Sequence, residues 1–178
     1  MLRRVVLALV TLTATLVAGS PISDAAGPHW VRYHQVDIRY PAGAVCRFPV
    51  YEHVTRDREF VKVVSRYANG KPRLELFRGP LFVKLTNTDS GTSIRRDLSG
   101  RAIEILARNG AFESLTIQHG HFGAGLPKGS KPRRGLYRVS GRWSSVSVNP
   151  DGTLSLVLGR PHGRARNLCP LLAEAPGS

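Results

Sequence analysis

Two histidines separated by one residue are the clearest potential metal ligands in this sequence. His119 and His121 flank Gly120, and residues two apart on an extended strand project to the same side. Imidazole nitrogens bind zinc and copper, but such a centre needs at least one more ligand. Three other residues are candidates for that ligand: His53, Glu52 and His162. His119 and His121 are therefore a candidate metal pair. The alternative is that both lie at a strand end beside a glycine-rich loop.

Basic side chains provide the second chemical signal. Lys and Arg total 26 against 12 Asp and Glu, so the formal net charge is +14. Such a charge raises affinity for polyanions such as nucleic acid, anionic lipid headgroups and acidic wall polymers. Many basic residues, Arg58 among them, lie near turns that would share one end of an up-and-down sheet. Six of them are candidate ligand contacts: Arg56, Arg78, Arg101, Lys128, Arg133 and Arg134.

Residues 120–135, which read GHFGAGLPKGSKPRRG, combine glycines, prolines and basic residues without apolar periodicity. They predict a single loop. In a compact domain, loops beyond about 12 to 15 residues are usually functional or disordered. One interpretation is a mobile basic flap over the barrel mouth, able to engage phosphate or carboxylate groups. The alternative is a solvated surface loop that binds nothing in particular.

Motifs for nucleophilic, metallopeptidase or nucleotide chemistry are missing from the sequence. It contains no G-x-S-x-G elbow, no H-E-x-x-H and no Walker loop. Most glutamates alternate with apolar residues, as on the outward face of a strand: Glu52, Glu59, Glu75, Glu104 and Glu113. The sequence therefore assigns no catalytic residue and no cofactor. An enzyme, either metal-dependent or templated by a barrel interior, is the alternative interpretation.

The amino-terminal segment predicts export. Arg3 and Arg4 precede an uncharged apolar run over residues 5–18, followed by small residues. This is the pattern of a secretory signal peptide, and the run is shorter than the ~20 residues that a transmembrane helix needs. We expect a secreted, extracellular protein with no transmembrane span. Its predicted parts are a signal peptide (1–25), an N-terminal extension (26–44), a β domain (45–170) and a flexible tail (171–178).

Cys46 and Cys169 are the two cysteines of the chain. Neither has potential metal ligands beside it, and an exported protein folds in an oxidising compartment. Two cysteines allow one intrachain pairing. We therefore predict a disulfide between them.

Turn signals that contain glycine recur at nearly even spacing after Glu59. Asn69-Gly70 and Asn109-Gly110 are strong hairpin signals, because a type I′ turn needs a positive φ at both central residues. Further signals stand at five sites: Gly79-Pro80, Asp89-Ser90-Gly91, Ser99-Gly100, Gly120 and Asn149-Pro150-Asp151-Gly152. We predict that the chain reverses at each of them.

The segments between these signals alternate apolar and polar residues with the strand period of two. Apolar residues share one face of residues 81–85, and Ile103 and Ile105 flank Glu104. A long antiparallel meander leaves no unpaired edge strand when its first and last strands pair and close a barrel. We predict an all-β, up-and-down antiparallel β-barrel of about 8–10 strands, closed by the disulfide. An open β-sandwich is the alternative. Only residues 168–173 suggest a short helical turn.

The chain resembles a diffuse group of small secreted, β-rich bacterial proteins of uncharacterised function. The resemblance rests on residues 85–91 (LTNTDSG), Leu98-Ser99-Gly100, Asp151-Gly152-Thr153 and the cysteine pair. It covers about residues 45–170. It implies a single exported β domain, with no catalytic residues to carry over.

These observations predict a secreted, non-enzymatic binding or surface-associated module. Its partner would be an anionic or amphipathic small molecule, or a surface polyanion, at a basic mouth. Beside the enzyme, a further alternative is an electrostatic binder of wall polymer, membrane surface or nucleic acid. Aromatic residues interleave with arginines over residues 30–51, as on surfaces that stack bases and contact phosphates. Aromatic residues of this kind also pack in protein cores.

Overall fold

The computed structural model describes residues 29–173. In chain order, its elements are β1 (Val31–Arg32), β2 (Ile38–Tyr40), β3 (Val50–Asp57), β4 (Phe60–Arg66), β5 (Pro72–Gly79), β6 (Leu81–Asn87), β7 (Ser93–Asp97), β8 (Gly100–Leu106), β9 (Phe112–Leu126), β10 (Gly135–Ser140), β11 (Ser145–Val148), β12 (Leu154–Val157), β13 (Arg164–Asn167) and α1 (Cys169–Ala173). The predicted all-β fold is confirmed. The predicted signal peptide lies outside the described residues, as do residues 174–178.

The strands form two sheets, and neighbouring strands in both pair antiparallel. The larger sheet has nine strands in the order β1-β4-β5-β8-β9-β10-β13, with β11 paired to β9 and β12 paired to β11. The smaller sheet has the order β2-β3-β6-β7. No closed barrel is found among residues 29–173, so the predicted barrel is not confirmed. The alternative, an open sandwich, is at least as consistent with two separate sheets.

The segment predicted as an N-terminal extension contributes two of these strands. In β1, Val31 pairs with Val61 of β4. In β2, Ile38 pairs with Glu52 of β3. Each sheet therefore includes a strand from the residues before 45.

Consecutive strands pass from one sheet to the other without reversing direction. Asp57 pairs with Leu81 in the smaller sheet, and Phe60 pairs with Arg78 in the larger one. The two pairs belong to one antiparallel register, so β3–β4 and β5–β6 are the two arms of one bent hairpin. β7 and β8 continue in the same way beside β6 and β5.

Chain reversals therefore occur at alternate glycine signals. Backbone hydrogen bonds close four turns: Tyr67–Gly70, Asn87–Gly91, Ala107–Gly110 and Asn149–Gly152. At the three intervening signals the predicted reversals are wrong, because the chain bends there and continues: Gly79-Pro80, Ser99-Gly100 and Gly120. The assignment of successive turns to opposite ends of a barrel fails for the same reason.

The bend is marked by a row of three glycines, which we call the glycine corner. Gly79 pairs with Gly100, and Gly100 pairs with Gly120. A Cβ atom on Gly79 would lie 2.3 Å from the carbonyl oxygen of Arg58, and one on Gly120 would lie 2.3 Å from that of Ser99. No side chain fits at such distances. Glycine is therefore required because backbones approach one another at the corner.

The glycine-rich segment predicted as one long loop is mostly strand. β9 extends into this segment and β10 follows, so the loop is limited to residues 127–134. A Cβ atom on Gly123 would lie 3.2 Å from Leu98, and one on Gly125 would lie 3.0 Å from the ring of Tyr40. These glycines allow β9 to pack closely against neighbouring side chains, so the flap prediction is wrong for residues 120–126.

One core cluster includes side chains from the smaller sheet, from β10 and from α1. Its least exposed members include Val50, Val83, Leu85, Leu136 and Leu172, each at most 2% exposed. Burying an aliphatic side chain of this size contributes about 1.5–3 kcal/mol. A second cluster includes apolar residues of β9, β10 and β11.

The predicted disulfide between Cys46 and Cys169 is confirmed, and its Cα atoms are 5.5 Å apart. Cys46 lies between β2 and β3, and Cys169 begins α1 directly after β13. The bridge therefore connects the segment between two strands of the smaller sheet to the helix that follows the last strand of the larger sheet. The predicted role of the disulfide was to close a barrel by joining its first and last strands. The observed bridge does not join two such strands.

Candidate functional site

A row of side chains crosses the outer face of the larger sheet beside the glycine corner. Phe60, Arg78, Arg101 and His119 are successive cross-strand partners on β4, β5, β8 and β9. Direct partners lie on the same face, with Cβ atoms about 4.5–5.5 Å apart. Three basic groups therefore stand side by side on three adjacent strands. We call Arg78, Arg101 and His119 the cationic row.

The cationic row borders an open groove of about 600 Å³. The three glycines of the corner line this groove, so part of its surface is bare backbone. Arg58 and Phe60 also contribute to the lining. The groove thus combines a side-chain-free surface with positive charge and one aromatic ring.

Acidic side chains compensate little of this charge. Arg78 and Arg101 form no ion pair among residues 29–173, where every ion pair involves Asp37 or Asp57. The guanidinium carbon of Arg78 lies 4.1 Å from the ring centre of Trp30. This cation–π contact stabilises the cation without neutralising it.

Asp97 is the carboxylate in the groove lining. Its Oδ1 accepts a hydrogen bond from the backbone N–H of Ser99 at 2.8 Å. Burial opposes ionisation, but the hydrogen bonds from Ser99 and the nearby His121 and Arg138 hold the pKa of Asp97 below its usual range. Asp97 is therefore ionised at neutral pH, and one carboxylate faces several cations.

The candidate metal pair lies in this groove. His119 is exposed in the cationic row, whereas His121 is partly buried and its Nδ1 has no hydrogen-bond partner among the described residues. Burial, followed by the charge of Arg138, lowers the pKa of His121. Across residues 29–173, no group of three His, Cys, Asp or Glu side chains is arranged to hold a metal ion.

The three candidates for a third metal ligand lie elsewhere or are already engaged. His53 Nδ1 is 2.9 Å from Asp37 Oδ2. Glu52 is buried on β3, and His162 is exposed between β12 and β13. The metal assignment of His119 and His121 stays a prediction.

The structure brings together two of the six predicted ligand contacts, Arg78 and Arg101. Arg56 lies with its guanidinium carbon 5.6 Å from the ring centre of Phe82, outside the groove lining. The other three belong to the loop at 127–134, where Lys128 is exposed.

Two residues of that loop border a different depression. Arg133 and Arg134 line a pocket of about 480 Å³ beside the disulfide. Nη1 of Arg134 donates a hydrogen bond to the carbonyl oxygen of Gly43 at 2.9 Å. The basic residues are therefore spread over several surfaces, because the chain bends at positions where the sequence predicted reversals.

The inner face of the bend holds an acidic cleft of about 210 Å³ that the sequence does not predict. Tyr33, Tyr40, Glu52, Glu59 and Glu104 line it, and Arg101 and His121 line both this cleft and the groove. These side chains were expected on an outward strand face or, for the tyrosines, on a nucleic-acid surface or in the core. The expectation of outward glutamates is wrong for this group.

Burial raises the pKa values of three glutamate side chains in the cleft. It raises the pKa of Glu59 to about 7, with Asp57 adding to the effect, and it raises the pKa of Glu104 to about 7, with Glu75 adding to it. Glu75 and Glu104 are direct partners on β5 and β8. Burial also raises the pKa of Glu52, against the opposing hydrogen bond from Tyr40.

The reading of β8 explains the error. The sequence predicts Ile103 and Ile105 on the buried face of the strand, yet Ile105 is 37% exposed while Glu104 lines the cleft. In β8, one face carries isoleucine and the other carries alanine and glutamate, so the alternation alone does not say which face is inside. Ala102 pairs with Phe77, which lines the cleft, and direct partners lie on the same face. The face of β8 that carries Ala102 and Glu104 is therefore the inner one.

Comparisons with known proteins add no further assignment. No protein-family model, no curated protein and no solved structure matches this chain. Among residues 29–173, no helix is both long enough and apolar enough to cross a membrane.

Proposed function

We propose that this protein is an exported, non-enzymatic binding module that holds an anionic ligand in the groove beside the glycine corner. The observation that carries the proposal is the register of β5, β8 and β9, which aligns Arg78, Arg101 and His119 on one face. Like charges directly opposite each other in a sheet are destabilising. A fold that keeps Arg78 and Arg101 side by side is stabilised when an anion binds between the two guanidinium groups.

The residues of the groove have distinct parts in this binding. Arg78 and Arg101 supply permanent charge and planar hydrogen-bond donors that suit carboxylate and phosphate groups. Trp30 stacks on Arg78 and limits its motion. Phe60 offers an apolar contact at one end of the row, which suits an amphipathic anion.

Export is the second part of the proposal. The predicted signal peptide supports it, and the Cys46–Cys169 disulfide is typical of proteins that fold outside the cytosol. A ligand met there would be an anionic small molecule or an anionic surface polymer. In this arrangement the binding surface is the outside of a bent sheet, not a barrel mouth.

A binding titration on two charge-matched variants tests the proposal. The mature protein is titrated with short-chain polyphosphate, and Trp30 fluorescence is followed in a Trp143→Phe background. The variant Arg78→Gln/Arg101→Gln is compared with Arg95→Gln/Arg108→Gln, which removes the same charge from exposed sites outside the groove. We expect the groove variant to bind at least about tenfold more weakly, in line with the loss of two charge-assisted contacts.

The salt dependence and the control decide between interpretations. Affinity for a polyanion should fall steeply with ionic strength. Equal losses in both double variants would indicate that net charge alone attracts the anion, and would overturn the proposed groove. Undiminished binding by the groove variant would overturn it as well.

A further inference from the structure

A second set of arginines meets where the two sheets face each other. Arg138 on β10 pairs directly with Arg166 on β13. Nε of Arg138 donates a hydrogen bond to the carbonyl oxygen of Asp97 at 3.0 Å, which brings it to the end of β7. Arg96 is the residue before Asp97 on that strand. Three arginines from three strands of two sheets therefore converge, and we call them the arginine seam.

The pairing of the strands places Arg96 and Arg138 on the inner faces of the two sheets, whereas Arg166 is exposed on the edge strand β13. Arg96 pairs with Val83, which is fully buried in the core, so Arg96 lies on the inner face of the smaller sheet. Arg138 is two residues after Leu136, so both project from the same face of β10. Leu136 packs in the core cluster that contains Val83.

Among residues 29–173, none of the three cations forms an ion pair. Asp97 is the carboxylate near Arg138, whose charge helps to lower the pKa of Asp97. Arg96 Nη1 is bound to the carbonyl oxygen of Arg95 at 2.6 Å. Burial lowers the pKa of Arg96, and the charges of Arg166 and Arg138 lower it further. The nearby carboxylate of Asp97 accepts the Ser99 N–H, so it is held toward the corner.

We propose that Arg96, Arg138 and Arg166 form a site for a single tetrahedral oxyanion, phosphate or a phosphate monoester, separate from the groove. Guanidinium groups are planar donors that bind phosphate oxygens in pairs. Three guanidinium groups on facing sheets surround an anion from more than one side. A bound anion would also offset the mutual repulsion of the three guanidinium groups.

Thermal unfolding and calorimetry with inorganic phosphate test the site. Both are performed at constant ionic strength, with sodium chloride replacing phosphate in the reference, so that only specific binding raises Tm. Glycerol phosphate in a parallel titration distinguishes a site for free phosphate from one that accepts a monoester. We expect saturable binding of at least one of these anions by the wild-type protein.

The variants exploit two neighbouring arginines on β7. Arg96→Gln removes a seam residue, and Arg95→Gln removes the same charge from the opposite, exposed face. We expect Arg96→Gln to weaken phosphate binding at least about tenfold while Arg95→Gln leaves it unchanged. In the absence of phosphate, Arg96→Gln should have a Tm at least as high as that of the wild type, because repulsion is relieved.

Arg166→Gln provides a second variant if Arg96→Gln fails to fold. Arg166 is exposed on β13, so its replacement should be tolerated. It should also weaken phosphate binding. Equal affinities in Arg95→Gln, Arg96→Gln and Arg166→Gln, or the absence of saturable binding by the wild type, would overturn the site. The groove variant Arg78→Gln/Arg101→Gln should still bind phosphate at the seam. The two proposals are therefore tested independently of each other.

Discussion

Arg78 and Arg101 are direct cross-strand partners on β5 and β8, one position from the facing pair Gly79 and Gly100. Two guanidinium groups are therefore held side by side beside a stretch of bare backbone. The glycines are required by the close approach of backbones at the corner, whereas nothing in the packing requires two facing arginines. This contrast supports the groove as the proposed binding site.

Replacement of Arg101 by Gln should stabilise the protein without ligand. Relief of the repulsion from Arg78 should raise the free energy of unfolding by about 0.2–1 kcal/mol at low salt. The gain should largely vanish at about 1 M salt, where the Debye length is about 3 Å. Urea unfolding at the two ionic strengths measures it, with Lys128→Gln in the exposed loop as the control. A destabilised Arg101→Gln at low salt would contradict the idea that the row is electrostatically strained.

Alanine at the glycine corner should be far more damaging than alanine at a hairpin turn. A Cβ atom on Gly120 would lie 2.3 Å from the carbonyl oxygen of Ser99, whereas one on Gly70 meets nothing within 4 Å, and both residues have positive φ. We expect Gly70→Ala to cost about 1 kcal/mol and Gly120→Ala to cost at least about 3 kcal/mol. Chemical denaturation measures both.

Gly100→Ala separates the two effects at the corner, because Gly100 does not have a positive φ and a Cβ atom there would lie 2.6 Å from the carbonyl oxygen of His119. A cost similar to that of Gly70→Ala would show that the corner backbones can move apart. It would then remove the steric explanation for the glycine row.

Loss of the disulfide should destabilise the protein strongly. The bridge joins residues 123 apart in sequence, and closing so long a loop contributes about 5 kcal/mol in the chain-entropy model. The variant Cys46→Ala/Cys169→Ala should therefore unfold at much lower denaturant concentration. Reducing agent should shift the wild-type transition toward that of the variant and leave the variant itself unaffected. Coincident transitions in oxidised wild type and variant would show that the bridge does not constrain the unfolded chain.

The acidic cleft should make stability fall as pH rises through the weakly acidic range. Glu59 and Glu104 have pKa values of about 7 in the folded protein against an ordinary value of 4.5. A raised carboxyl pKa means that the folded state binds the proton more tightly, so this stabilisation is complete below about pH 4.5 and is lost as pH rises through about 7. After solvent screening, the loss is on the order of 1 kcal/mol, or roughly 2–4 °C in Tm.

Glu104→Gln is the matched variant for this pH effect. It keeps the shape of the protonated acid and removes its titration. Its Tm should equal that of the wild type near pH 4.5 and exceed it near pH 8, so the difference between the two curves isolates Glu104 from the other titratable groups. Parallel curves would show that Glu104 is hydrated and titrates normally.

Local sequence signals predicted much of the secondary structure. The hairpins at Asn69-Gly70 and Asn109-Gly110, the alternating strands and the Cys46–Cys169 bridge are all present. The type I′ assignment of the two hairpin turns is wrong, because Asn69 and Asn109 do not have a positive φ. Turn chemistry and strand alternation act over a few residues, so they can be read without knowing the fold. Two cysteines likewise leave a single pairing to consider.

The candidate sites were predicted only in part. The sequence predicts Arg78 and Arg101 as ligand contacts and His119 as a metal ligand, but it places the two arginines beside Arg133 only if the chain reverses at every glycine signal. The arginine seam escaped notice because its members lie on three strands that are distant in sequence. The acidic cleft escaped because the alternation in β8 is equally compatible with either face pointing inward.

The sequence by itself determined that this chain forms antiparallel strands with tight turns and one cystine, since those features depend on near neighbours. The tertiary structure decided which glycines reverse the chain and which only bend it, because a glycine such as Gly70 serves its own turn while Gly120 makes room for the backbone of another strand. That choice fixes which face of each strand is inside. It thereby decides where the cations and carboxylates of this protein meet.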